Sequence, residues 1–248
     1  MNVYACAGLM TAAVVAWLAI YRLPLRSPTR QRRLVLWAVS RTRVPARLVL
    51  PVVGTILYLG AGISIGLAVA AASGVSAWRV LAWHPSARGV ALIVLAMLGA
   101  NALTGFATYV LLLLRPHVDI AASVSDVRWI RSVLALPGRW RWIVPMISAA
   151  VEEAFFRGIV LAGLMRAGAP AWAAVVISGA LFVATQTVLT SNPVAATVLA
   201  TSSVVLATIG GLLTLITGSA LPAIVVHASF AGYYTSAAMR SGAVASFR

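Results

Sequence analysis

This 248-residue chain contains no Lys, a single Cys and only four acidic side chains, and each shortage narrows what the protein can be. With Cys6 as its one cysteine, the chain can build neither a disulfide framework nor a cysteine-based metal site. All 19 cationic side chains are Arg, which we attribute to a composition bias of the genome.

The excess of Arg over acidic residues gives a net charge of +15, a balance that nucleic-acid-binding proteins share. In this chain, however, the Arg residues flank apolar segments, and no soluble domain separates these segments to form a groove. Because 62% of the residues are hydrophobic, the sequence predicts a polytopic membrane protein surrounded by lipid, with no nucleic acid as a partner.

Hydrophobic runs long enough to cross a bilayer predict an all-α fold, an integral membrane bundle of about seven transmembrane helices. The first run lacks a basic n-region, so we expect it to remain as a helix and not to be cleaved as a secretory signal. The predicted helices span residues 3–21, 48–72, 89–114, 142–165, 171–190, 194–217 and 220–239.

The distribution of Arg predicts the orientation of the bundle. Fifteen Arg lie in the connections on one side and three in those on the other, while Arg157 lies inside a span. Since Arg accumulates in cytoplasmic loops, we expect an external amino terminus and a cytoplasmic carboxyl terminus, in a bacterial plasma membrane. The predicted inner connections are 22–47, 115–141, 191–193 and 240–248.

One inner connection has an amphipathic pattern. From Val124 to Leu136, the apolar residues share one helical face and Arg128 and Arg131 share the other. The pattern predicts a helix lying on the inner leaflet, and a solvated basic loop is the alternative.

Three charged residues lie within the fourth predicted span, in the sequence Glu152-Glu153-Ala-Phe-Phe-Arg157. An ionised side chain near the centre of a membrane helix costs roughly 2.5–3.5 kcal/mol, so each needs a use or a partner. Glu153 and Arg157 lie one turn apart on the same face, which predicts a structural ion pair. Glu152 points about 100° away and has no cationic partner in its own helix. The alternative is an ion cluster with only a structural role.

Two more polar residues lie within later spans, Gln186 in the fifth and His227 in the seventh. A lone residue of this kind often makes only an interhelical hydrogen bond. His227 lies at about the depth of Glu152, however, if both helices rise about 1.5 Å per residue. We therefore expect Glu152, Gln186 and His227 to surround a polar cavity.

Three blocks of sequence follow one another at regular positions in this half of the chain: Glu152-Glu153-Ala-Phe-Phe-Arg157, Ser178-Gly-Ala-Leu-Phe182 and Thr217-Gly-Ser-Ala-Leu-Pro-Ala-Ile-Val-Val-His227. Together they resemble the CPBP family, the CAAX protease and bacteriocin-processing (Abi) membrane proteins, which include relatives of the CAAX prenyl endopeptidases. The resemblance covers roughly residues 140–235, and the first three spans add only hydrophobicity to it.

The resemblance implies an intramembrane endopeptidase in which a Glu-activated water hydrolyses a peptide bond. Carried over by position, Glu152 is the general base and His227 the donor to the oxyanion. Two positions depart from the family pattern, because Gln186 replaces its first His and Ala231 replaces its frequent Asn. Gln cannot accept a proton, and a positioned acid–base group is worth about 10²–10⁴ in rate. The sequence therefore predicts weakened hydrolysis.

Two other classes of function remain open. A catalytically silent relative would act as a membrane scaffold or an immunity-type partner, and a transporter would also use buried Glu and His. The chain has no internal duplication of the kind that many transporters show. We expect no cofactor; zinc is not favoured because Glu152 and Glu153 diverge and His227 is the only imidazole predicted inside a span.

These patterns divide the chain into two regions. Residues 1–141 form an N-terminal membrane region with three helices and basic cytoplasmic loops, and residues 142–239 form a CPBP-like helical core. The expected partners are membrane lipid and a peptide or membrane protein, either as substrate or as binding partner.

Overall fold

The protein consists of helices and the connections between them. The structure, a computed structural model, describes residues 1–188 and 190–240, with side chains as far as residue 235, and contains no strand in these ranges. In chain order the elements are α1 (Val3–Arg22), α2 (Pro28–Arg41), α3 (Ala46–Ser73), α4 (Ala87–Leu114), α5 (Ile120–Ser125), α6 (Arg128–Leu134), α7 (Trp140–Glu153), a π-helical segment (Ala154–Val160), α8 (Leu161–Arg166), α9 (Ala171–Thr187), α10 (Pro193–Thr217) and α11 (Leu221–Arg240).

The all-α membrane fold predicted from the sequence is confirmed. Within the described residues, α1, α3, α4 and α10 are each long and apolar enough to cross a membrane. The fourth predicted helix corresponds to the continuous run of α7, the π-helical segment and α8, and the other predictions correspond to α9 and α11. That all seven of these cross the bilayer stays a prediction.

Local sequence signals set several helix ends. The Ser86 hydroxyl accepts a hydrogen bond from the Gly89 backbone and caps α4, and the Asn192 side chain caps α10 in the same way. Gly218 ends α10 with a φ of 70°, a left-handed conformation that favours glycine. Because the connections between α9, α10 and α11 are short, these helices pack as antiparallel neighbours.

The basic connections contain more helix than the sequence predicts. The stretch 22–47 includes α2, which starts at Pro28, a residue that suits the first helical position. The single helix predicted over Val124–Leu136 is instead divided, because Val127 has an extended backbone between α5 and α6. In α6 Arg128 and Arg131 are exposed and Leu134 is buried, so the helix has a solvated and a packed part of its surface.

Aromatic side chains join the amino-terminal helices to the later ones. Trp17 of α1 is 1% exposed, and its ring lies 5.3 Å from that of Phe155 and 6.2 Å from that of Phe156. Its indole N–H donates a 2.8 Å hydrogen bond to the Tyr58 carbonyl oxygen of α3. A buried Trp with its N–H satisfied contributes a large apolar contact at no polar penalty. Trp17 therefore fixes α1 and α3 against the π-helical segment.

This junction generates a prediction about packing. A Cβ atom at Gly62 of α3 would lie 2.8 Å from Trp17 Cε2 and 2.9 Å from Val151 Cγ1, whereas one at Gly60 would meet nothing within 4 Å. We expect Gly62→Val to destabilise the protein by about 1–3 kcal/mol through overpacking. The thermal unfolding midpoint in detergent measures the effect. Gly60→Val is the matched control in the same helix, and equal midpoints for the two variants would contradict the packing described here.

Candidate functional site

The helix that carries the charged residues is not a regular α-helix. Residues Ala154–Val160 form a π-helical segment, and the Leu161 backbone N–H donates to the Phe156 carbonyl oxygen five residues earlier. The buried Ser178 hydroxyl of α9 donates a further 2.7 Å hydrogen bond to the same oxygen. The sequence predicts an ordinary α-helix here, so the wider π-helical turn differs from the prediction. Such turns are rare and frequently lie at functional sites.

Glu153 and Arg157 are brought together as the sequence predicts. Arg157 Nε lies 3.0 Å from Glu153 Oε2, and both side chains are 1% exposed. The Arg157 guanidinium also lies 4.4 Å from the ring centroid of Phe182, where its charge is attracted by the π-electrons. At Gly210 of α10 an added Cβ would lie only 3.2 Å from Glu153 Oε2. A small residue there lets α10 close over the ion pair.

His227 contacts Glu153, whereas the sequence predicts that it faces Glu152. Its Nδ1 lies 2.9 Å from Glu153 Oε1, and its ring lies edge-on to Phe182 at 5.6 Å. Glu153 therefore stands between the guanidinium of Arg157 and the imidazole of His227. When Glu153 is ionised it accepts from Nδ1–H, and Nε2 is the ring nitrogen that remains for other partners.

Glu152 is held by neutral hydrogen-bond donors. The Tyr58 hydroxyl donates to Glu152 Oε1 at 2.5 Å, and Gln186 Nε2 donates to Oε2 at 3.3 Å. The Glu152 residue is 7% exposed, and among the described residues no cationic group lies within ion-pair distance of its carboxylate. The two adjacent carboxylates thus have different surroundings, since one contacts a guanidinium and an imidazole and the other contacts a phenol and an amide.

A cavity of about 360 Å³ brings the predicted residues together. Glu152, Gln186, His227 and Ala231 all line it, as does Tyr58. Side chains of α1, α3, α6 and α7 complete the wall, including that of the exposed Arg128. The expected polar cavity is therefore present, with three candidate side chains and the altered position 231 on one surface.

A second cavity of about 460 Å³ adjoins the first. Gln186, His227 and Ala231 line both cavities, so the two meet at these residues. The wall of the second cavity is otherwise mainly apolar and includes Leu206 of α10 and Phe230 of α11. The polar groups thus stand between a chamber that contains a carboxylate and one suited to a hydrocarbon chain.

Metal ligands are not grouped in the described part of the chain, where no three His, Cys, Asp or Glu side chains are placed to hold one ion.

Tyr58 is the residue of the cavity that sequence reasoning misses. The signal available for it is a Tyr in the middle of α3, because a buried phenolic hydroxyl usually has a hydrogen-bond partner. With Tyr58, the first three spans contribute more than hydrophobicity.

Part of the chain resembles a known protein family. Residues 136–232 match the family described as Rce1-like, "Type II CAAX prenyl endopeptidase Rce1-like". Neither the curated proteins nor the solved structures provided a match. The matched range contains Glu152, Gln186 and His227, whereas Tyr58 lies outside it. Over residues 136–232 the resemblance to the CPBP or CAAX protease family of membrane proteins is therefore confirmed.

Proposed function

We propose that this protein is a glutamate-dependent intramembrane endopeptidase that cleaves a peptide near a prenylated Cys-a-a-X end. The observation that carries the proposal is the single cavity lined by Glu152, Gln186 and His227 next to an apolar chamber. The family match supports the class of reaction. A membrane-embedded cavity with a carboxylate that lacks a cationic partner is suited to activating a water molecule.

Glu152 is the general base of the proposed reaction. Its carboxylate removes a proton from a water molecule, and the resulting hydroxide attacks the carbonyl carbon of the peptide bond. When the carbon–nitrogen bond breaks, Glu152 returns the proton to the departing amine nitrogen. The amide of Gln186, which donates to Glu152 Oε2, orients the carboxylate and the water but takes no proton itself.

His227 stabilises the negative charge that develops on the substrate oxygen. The bond between its Nδ1 and Glu153 fixes the ring, and Arg157 in turn fixes Glu153. In the protonated ring Nε2 is a donor, which is the group an oxyanion needs. With Ala231 in the position where the family often has Asn, a second side-chain donor is missing from this wall.

The cavities support a substrate with one polar and one apolar part. A peptide fits beside Glu152, and a prenyl chain fits the apolar cavity that meets the first at His227. The exposed Arg128 at the first cavity is suited to a peptide carboxylate. Because Arg-rich connections predict the cytoplasmic side, we propose that substrate enters from the cytoplasm.

A catalytically silent membrane scaffold or immunity-type partner is the second candidate. Gln186 and Ala231 favour it, since both replace polar groups that the family mechanism uses. In this case the buried ion pair of Glu153 and Arg157 would serve only to hold the bundle together.

Replacement of the general base separates the two candidates. We expect Glu152→Gln to reduce cleavage of a farnesylated Cys-a-a-X peptide at least 100-fold, because the amide cannot take a proton from water. The assay measures the release of the carboxyl-terminal fragment by purified protein in liposomes. Asp119→Asn is the control, since Asp119 caps α5 and lines neither cavity, and Asn caps equally well.

The scaffold makes the opposite prediction. Unchanged cleavage in Glu152→Gln would exclude the proposed mechanism. If the wild-type protein does not cleave the peptide and Glu152→Gln still captures a membrane partner, the scaffold is favoured.

Restoring the family residue tests why the reaction is weak. We expect Gln186→His to raise kcat about tenfold or more, because imidazole can accept and return a proton next to Glu152. Gln186→Asn, which also lacks a proton acceptor, is the control and should give no increase. A folded Gln186→His protein with unchanged kcat would show that the amide is not the limiting feature.

The ion pair makes a prediction about stability under either candidate. We expect Arg157→Ala to destabilise the protein by about 3–5 kcal/mol, because it removes the guanidinium from a buried carboxylate. Thermal unfolding in detergent measures this loss, with the exposed Arg79→Ala as the control. Equal unfolding midpoints for the two variants would mean that Glu153 does not depend on Arg157.

A further inference from the structure

The shorter of the two hydrogen bonds to Glu152 comes from a residue outside the family-matched range. Tyr58 lies on α3, 94 positions before Glu152 in the chain, and its hydroxyl donates to Oε1 at 2.5 Å. The other donor, Gln186, is 3.3 Å from Oε2. A bond from a hydroxyl to an ionised carboxylate is of the strong, charge-assisted kind.

Tyr58 is itself held in place by side chains from α1. Its carbonyl oxygen accepts the indole N–H of Trp17 at 2.8 Å, and the two rings lie 5.0 Å apart. The ring of Tyr21 packs edge-on against that of Tyr58 at 5.4 Å. Trp17 is almost fully buried, so the phenol has little freedom to move away from Glu152.

The Glu152 carboxylate needs such a support because its neighbour in the chain has partners that would also attract it. The adjacent Glu153 contacts both Arg157 and His227, and a Glu152 carboxylate free to rotate would be drawn toward the Arg157 guanidinium. Gln186 alone supplies one long hydrogen bond to one oxygen. A donor on the opposite oxygen, Oε1, fixes the rotation of the carboxylate toward the cavity that Tyr58 also lines.

We infer that Tyr58 is a positioning residue of the active site, supplied by the amino-terminal helices, that holds the Glu152 carboxylate in the orientation needed to activate water. This inference rests on the proposed function, since Tyr58 acts through Glu152. The site is therefore incomplete without α1 and α3, although the family match begins only at residue 136.

The test removes one hydroxyl. We expect Tyr58→Phe to lower kcat for the farnesylated peptide about 10- to 100-fold, the effect of losing one hydrogen bond to a charged group, while KM stays unchanged. Tyr109→Phe is the matched control, because Tyr109 of α4 is 58% exposed and lines neither cavity. A wild-type kcat in Tyr58→Phe would overturn the inference, and a rise in KM alone would assign Tyr58 to substrate binding instead.

A second measurement needs no substrate. In infrared difference spectra, the carboxyl band that disappears in Glu152→Gln identifies Glu152, and we expect that band to shift in Tyr58→Phe but not in Tyr109→Phe. An unshifted band would overturn the contact itself. If Glu152→Gln still cleaves the peptide, the proposed function fails, while the infrared band still tests the Tyr58 contact. If Glu152→Gln is inactive and Tyr58→Phe is fully active, only the positioning role fails.

Discussion

The site depends on one constraint, the burial of two adjacent carboxylates with a cationic partner, Arg157, for only one of them. Glu153 lies between Arg157 and His227, and these groups offset the cost of burying its charge. Glu152 receives hydrogen bonds from Tyr58 and Gln186, which stabilise a charge without neutralising it. Had Arg157 paired with Glu152 instead, the carboxylate at the cavity would be neutralised, and the proposed mechanism would have no base.

A π-helical segment directly follows the two carboxylates. In its wider turn the Phe156 carbonyl oxygen accepts hydrogen bonds from both the Leu161 backbone N–H and the Ser178 hydroxyl of α9. Arg157 then lies over the ring of Phe182, also on α9. The guanidinium is thereby held between Glu153 and Phe182.

The parts of this arrangement that are local in sequence could be predicted, and those that depend on packing could not. The spacing of Glu153 and Arg157 places them on one helical face whatever surrounds them. Which carboxylate His227 meets depends on the rotation of α11 against α7, and the partner found is Glu153. The contribution of Tyr58 depends on how α3 packs against α7, and the π turn depends in part on Ser178, neither of which follows from periodicity.

The amino-terminal helices and the family-matched core are joined by buried contacts next to the two carboxylates. Trp17 touches the core through Phe155 and Phe156, which follow the two carboxylates after Ala154, and it also fixes the backbone of Tyr58. The buried side chain of Trp17 thus contacts both the segment that follows Glu152 and the residue that donates to it, Tyr58. Since Gln186 supplies only a long hydrogen bond to Glu152, the proposed mechanism relies for the orientation of this carboxylate mainly on Tyr58 and the amino-terminal helices that hold it.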